Sequence, residues 1–120
     1  KKLIVWQKSI DLVKEVYKIT ERFPKSELYG LTSQMRRAVV SIPSNIAEGY
    51  TRKNLGEYIQ FLSISNASAA ELETQIIIAK NIYPKTDFSK VGLLSEEIQK
   101  MLFVMIKKLS ANRYTLTAIR

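Results

Sequence analysis

The chain has 120 residues, enough for one domain with one core. It contains no cysteine and no histidine. That excludes disulfides, thiolate nucleophiles and zinc–sulfur sites, and it removes the commonest general base and transition-metal ligand. Nineteen basic residues against eleven acidic ones leave a net charge of +8, so the expected partners are polyanions, nucleic acid first.

The N-terminal run Lys1-Lys2-Leu3-Ile4-Val5-Trp6 meets Gln7-Lys8 too soon for a signal peptide, and no apolar run reaches the roughly 18 residues of a membrane span. A cytoplasmic protein without a membrane role is expected. Residues 4–22 carry Trp6, Ile10, Val13 and Tyr17 at helical spacing, with Val16 and Thr20 flanking. Phe23-Pro24 ends this helix, because the residue before proline is pushed out of the α region. Ser26 is the expected N-cap of the second helix, over 27–51, whose apolar stripe is Leu28, Leu31, Met35, Val39, Ile42 and Ile46.

Pro43 sits inside that stripe. Proline has no backbone N–H and crowds the carbonyl four residues back, at Val39, so a helix kinked at Pro43 is expected. Asn54 with Glu57 forms a capping box for a third helix over 55–83. Its inner face is Tyr58, Ile59, Leu62, Asn66, Ala69, Leu72, Ile76 and Ala79, with a middle rich in small residues. Pro84 closes it. A fourth helix over 88–110 carries Val91, Leu94, Ile98, Leu102 or Met101, Met105 and Leu109. Short loops join antiparallel neighbours, so the fold class is all-α, an up-down-up-down four-helix bundle. Residues 1–110 form the domain, and 111–120 are a tail without pattern.

Folding the second and third helices about residue 53 sets residue 45 level with about 62, and 38 with about 69. Ala38, Ser41, Asn45 and Gly49 then face the small set of the third helix. Small residues let backbones approach, and the hydroxyls and amides can satisfy carbonyls freed by Pro43. The same register brings Glu73 to Arg36 or Arg37, where a structural ion pair is expected. Even-numbered helices end at one pole, so Lys1, Lys2, Arg52, Lys53, Lys107, Lys108 and Arg113 gather there as a nucleic-acid-binding patch. The last stretch, 98–120, holds five basic residues and no acidic ones. Phe61, Ile64, Phe103 and Ile106 fall off the main stripes and are the expected oligomer interface.

No enzyme is expected. Di-iron sites need Glu-x-x-His pairs. The glycines at 30, 49, 56 and 92 make neither a P-loop nor a dinucleotide fingerprint. No cofactor, metal or small-molecule substrate is expected.

Val5-Trp6-Gln7-Lys8, Tyr29-Gly30-Leu31-Thr32, Gln34-Met35-Arg36-Arg37-Ala38, the run from Ser41 to Gly49, and Ala70-Glu71-Leu72-Glu73-Thr74-Gln75 share one pattern. Through them the chain, from residue 3 to about 109, resembles the four-helix-bundle proteins encoded in intervening sequences of bacterial 23S rRNA genes. That family is similar in fold to the accessory variability determinant of diversity-generating retroelements. The resemblance implies a homo-oligomeric ring, a pentamer, that contacts RNA or DNA or a nucleoprotein and associates with a reverse transcriptase of a mobile element. It implies no catalytic residues. The other reading of the residues is a protein-interaction scaffold with no nucleic-acid contact.

Overall fold

A computed structural model describes the backbone of residues 3–119 and the side chains of residues 3–112. Helix α1 spans Ile4–Thr20, a single 3₁₀ turn spans Lys25–Glu27, and α2 spans Leu31–Tyr50. Helix α3 spans Leu55–Ile82 and α4 spans Ser89–Ile119. Among the described residues there is no strand. The body measures 57 × 23 × 21 Å.

Neighbours pack in a closed cycle, α1 on α2, α2 on α3, α3 on α4 and α4 back on α1. Every pair is antiparallel, because partners run in opposite order. Lys8 meets Glu97 while Glu15 meets Lys90. Ser41 meets Ser68 while Gly49 meets Phe61. This lies within three residues of the register expected from folding about residue 53. One core fills the centre, with Leu12, Val16, Met35, Val39, Ile42, Ile46, Leu62, Leu72, Ile98 and Leu102 fully buried.

The phase of α1 differs from expectation. Its buried line is Val5, Ser9, Leu12, Val16 and Thr20. Trp6, Ile10 and Val13 are half-buried beside it, and Tyr17 is exposed. Both lines are rich in apolar residues, and the inner one tolerates two hydroxyls because each bonds within its own helix. Ser9 Oγ donates to the Trp6 carbonyl at 2.7 Å, and Thr20 Oγ1 to the Val16 carbonyl at 2.7 Å.

Helix α2 starts later than expected, at Leu31. Ser26 lies in the 3₁₀ turn and makes no cap. The Glu27 carboxylate takes that role: Oε1 accepts from the Leu31 N–H at 3.2 Å, and Oε2 accepts from the Tyr83 hydroxyl at 2.6 Å. Leu28, one end of the expected stripe, is exposed. The helix then runs unbroken through Pro43 to Tyr50, so the proline neither stops nor restarts it. Hydroxyls and an amide bond the carbonyls near Pro43. Ser44 donates to Val40, Asn45 to Ser41, and Ser65 of α3 to Ile42. The Val39 carbonyl, which loses its N–H to the proline, receives no side chain among the described residues.

The small faces do permit close approach. Ser41 and Ser68 share a hydrogen bond of 2.8 Å, and a Cβ on Gly49 would lie 2.8 Å from Cβ of Phe61. Asn54 caps α3, its side chain accepting from the Glu57 N–H at 3.0 Å. The reciprocal arm of the box is absent, because Glu57 turns to Arg52 instead. Helix α4 starts where expected but continues to Ile119, past the expected end at 110.

Candidate nucleic-acid interface

The antiparallel order brings three pieces to one end: the start of α1, the turn at 51–54, and the C-terminal part of α4. In the turn, the Arg52 guanidinium is already engaged. Its Nη2 is 2.6 Å from Glu48 Oε2, its Nη1 is 3.9 Å from Glu57 Oε1, and its centre lies 4.9 Å above the Phe61 ring. Each exposed pair contributes little to stability. Together they leave Arg52 with its charge matched, unlike a free phosphate ligand. Lys53, next in the turn, is exposed and has no acidic partner among the described residues.

Lys107 and Lys108 are exposed and equally without acidic partners among the described residues. Successive helix positions are about 100° apart, so the two do not share a face. Lys107 joins Ser63 and Asn66 of α3 and Phe103 and Ile106 of α4 around a groove of about 490 Å³. Lys108 continues the row of Met101 and Val104, which face α1. Of the remaining patch residues, Lys1 and Lys2 lie outside the described residues. Arg113 lies on α4, with its side chain outside them.

Positive charge is not confined to this end. Lys18, Arg22, Lys25, Lys80, Lys85 and Lys90 cluster at the opposite one, and there carboxylates are interleaved with them. Glu15 bridges Lys18 at 3.4 Å and Lys90 at 3.3 Å. Desolvation by burial pushes the Glu15 carboxyl up, but the Lys90 hydrogen bond and the charges of Lys18 and Lys90 outweigh it and hold the group below its usual range. On α4 the last acid is Glu97. Fifteen of the nineteen basic side chains are described, against all eleven acidic ones. Half of the +8 is therefore carried by Lys1, Lys2, Arg113 and Arg120.

The expected ion pair is not formed. Arg36 turns to α1, its Nε donating to Thr20 Oγ1 at 2.9 Å and its guanidinium 4.4 Å above the Tyr17 ring. Arg37 is exposed. Glu73 lies on the other flank, in a groove with Lys80, Ser89 and Glu96. Register along the axis was right, but rotation about each helix decides partners, and it sends Arg36 and Glu73 to different neighbours.

The expected oligomer set is split for the same reason. Phe61 is half-buried against Gly49 of α2, with Ile64 exposed one turn on. Phe103 and Ile106 belong to the α3–α4 groove, where Phe103 is 61% exposed and Ile106 packs on the core. A larger apolar groove, about 660 Å³, lies between α1 and α4 and is lined by Leu3, Ile4, Val5, Lys100, Met101, Val104 and Met105. Ile4 and Val104, both exposed and off the core stripes, were the sequence signal for it.

Among the described residues no group of three or more Asp and Glu is placed to hold a metal ion. Among the described residues no helix is long and apolar enough to cross a membrane.

The chain is similar in fold to a crystal structure described as a protein of unknown function from the S23 ribosomal protein family of Bacteroides thetaiotaomicron. The TM-score is 0.77 at 24% identity, covering 87% of this chain and 99% of that one. No curated protein matches the chain. The family described as 23S rRNA-intervening sequence protein matches residues 1–104. That match takes in all of α1, α2 and α3 and half of α4, and the chain belongs to this family.

Proposed function

We propose that the chain is a non-catalytic bundle that binds nucleic acid through Lys53, Lys107 and Lys108 and self-associates through its apolar flanks. One observation carries the reading. These three cations have no acidic partner among the described residues, and although Lys14, Arg22, Lys25, Arg37, Lys80 and Lys85 are unpaired as well, only these three lie on or beside the end of α4, which carries no acid beyond Glu97. Unpaired cations release counterions when they meet phosphates, and that release drives binding. The polymer is RNA or DNA, as the resemblance implies. A cytoplasmic location belongs to the same proposal. So do the pentameric ring and the reverse-transcriptase association implied by the resemblance.

Binding to RNA should weaken steeply with salt. The triple variant Lys53→Glu, Lys107→Glu, Lys108→Glu should lose it, and unchanged binding overturns the patch. Light scattering tests the assembly: a particle of 13.8 kDa, one chain, overturns self-association.

The second reading is a scaffold for a protein partner, favoured by the apolar groove between α1 and α4. It predicts that the purified protein carries no nucleic acid. The ratio of absorbance at 260 and 280 nm, before and after a high-salt wash, separates the two.

A further inference from the structure

The α3–α4 groove combines three features that a core does not need. Phe103 stands 61% exposed on its rim. Opposite, α3 offers Ser63, exposed and too small to cover the ring. Between them lies Asn66, half-buried, which makes no hydrogen bond among the described residues. Its Oδ1 is sealed from solvent without a donor. A buried acceptor left unpaired is a cost that native structures rarely carry without a reason.

We propose that this groove seats one base of a single-stranded nucleic acid, with the ring against Phe103, its polar edge on Asn66 and its phosphate on Lys107. The proposal rests on the nucleic-acid reading above and adds to it where a base is held. Aromatic rings stack on bases of any identity. A carboxamide rotates to present either its oxygen or its amide to a base edge. Lys107 follows Phe103 by four residues, so it lies on the same face about 6 Å further along the axis. Lys107 is exposed and without an acidic partner among the described residues, and no acid lies on α4 beyond Glu97, so the rim of the groove complements a phosphate.

The test uses the full chain, a short labelled single-stranded RNA, and inorganic polyphosphate as a ligand with charge but no bases. Phe103→Ala should weaken RNA binding about five- to a hundredfold, with polyphosphate binding and the salt slope unchanged. Ser63→Trp, at an exposed position, should do the same by filling the groove. Circular dichroism checks that both variants keep their helices. Lys53→Glu should weaken both ligands. Wild-type RNA affinity in Phe103→Ala and Ser63→Trp, with salt-dependent binding intact, overturns the base seat and leaves the electrostatic reading standing. A wild-type protein that binds neither ligand overturns both. Loss of assembly in Phe103→Ala, seen by sedimentation, makes the groove a contact between copies and overturns the seat.

Discussion

Ser65 of α3 donates its hydroxyl to the carbonyl of Ile42, at 2.9 Å, in the turn of α2 that enters Pro43. The serine is fully buried, so the bond forms where the two backbones come close. Size there should matter more than the hydrogen bond. Ser65→Ala loses a bond worth about 1 kcal/mol and regains about 0.5 kcal/mol in helix propensity. Ser65→Val loses the bond and adds bulk, for about 2–3 kcal/mol. Urea midpoints of the two variants check this, and equal losses would show that the contact is loose.

Pro43 is buried and lines a groove with Trp6, Ile10 and Val13. Two effects oppose each other in Pro43→Ala. Helix propensity favours alanine by about 3 kcal/mol, and the new N–H can reach the Val39 carbonyl. Loss of two buried methylenes costs about 1.6 kcal/mol, at about 0.8 each. A net stabilisation of about 1 kcal/mol is expected from thermal melts. A destabilised variant would mean that packing of the ring outweighs the missing hydrogen bond.

Tyr83 and Glu27 join the α3–α4 turn to the start of α2, and the bond should give stability a plateau in pH. The Tyr83 hydrogen bond first, then the Leu31 N–H, hold the Glu27 carboxyl below its usual range. Its contribution is present above about pH 4.3 and fades as pH falls through the lowered value. The bond to Glu27 pushes the Tyr83 hydroxyl up. That contribution is present below about pH 10 and fades as pH rises through the raised value. Tyr83→Phe keeps the ring stacked on Phe23, at 4.8 Å, and removes only the hydroxyl. Its melting temperature should fall below wild type between about pH 5 and 9 and converge with it at both extremes. A constant gap across the whole range would refute the coupling.

The adjacent arginines should respond differently. Arg36→Lys removes the Nε donor to Thr20 and the flat stack on Tyr17, and should cost about 1 kcal/mol. Arg37→Lys, on the exposed neighbour, should stay within about 0.5 kcal/mol of wild type. Chemical denaturation of both settles the contrast. Equal effects would mean that the contact with α1 adds nothing.

What residue order alone determined is the set of rods and their order. Apolar spacing marks the helices, Pro24, Asn54 and Pro84 mark three of their ends, and the short turn after Tyr50 sets α2 against α3 within three residues of the observed register. These features are local, and a period of 3.6 residues expresses them directly. Only the tertiary structure decided the rotation of each rod. On α1, Val5, Leu12 and Val16 turn inward rather than Trp6, Ile10 and Val13, although both lines are apolar. Rotation likewise sends Arg36 to Thr20 instead of Glu73 and opens the groove beside Phe103. A broad apolar stripe leaves the angle about the axis free, and it is packing against two neighbours at once that fixes it.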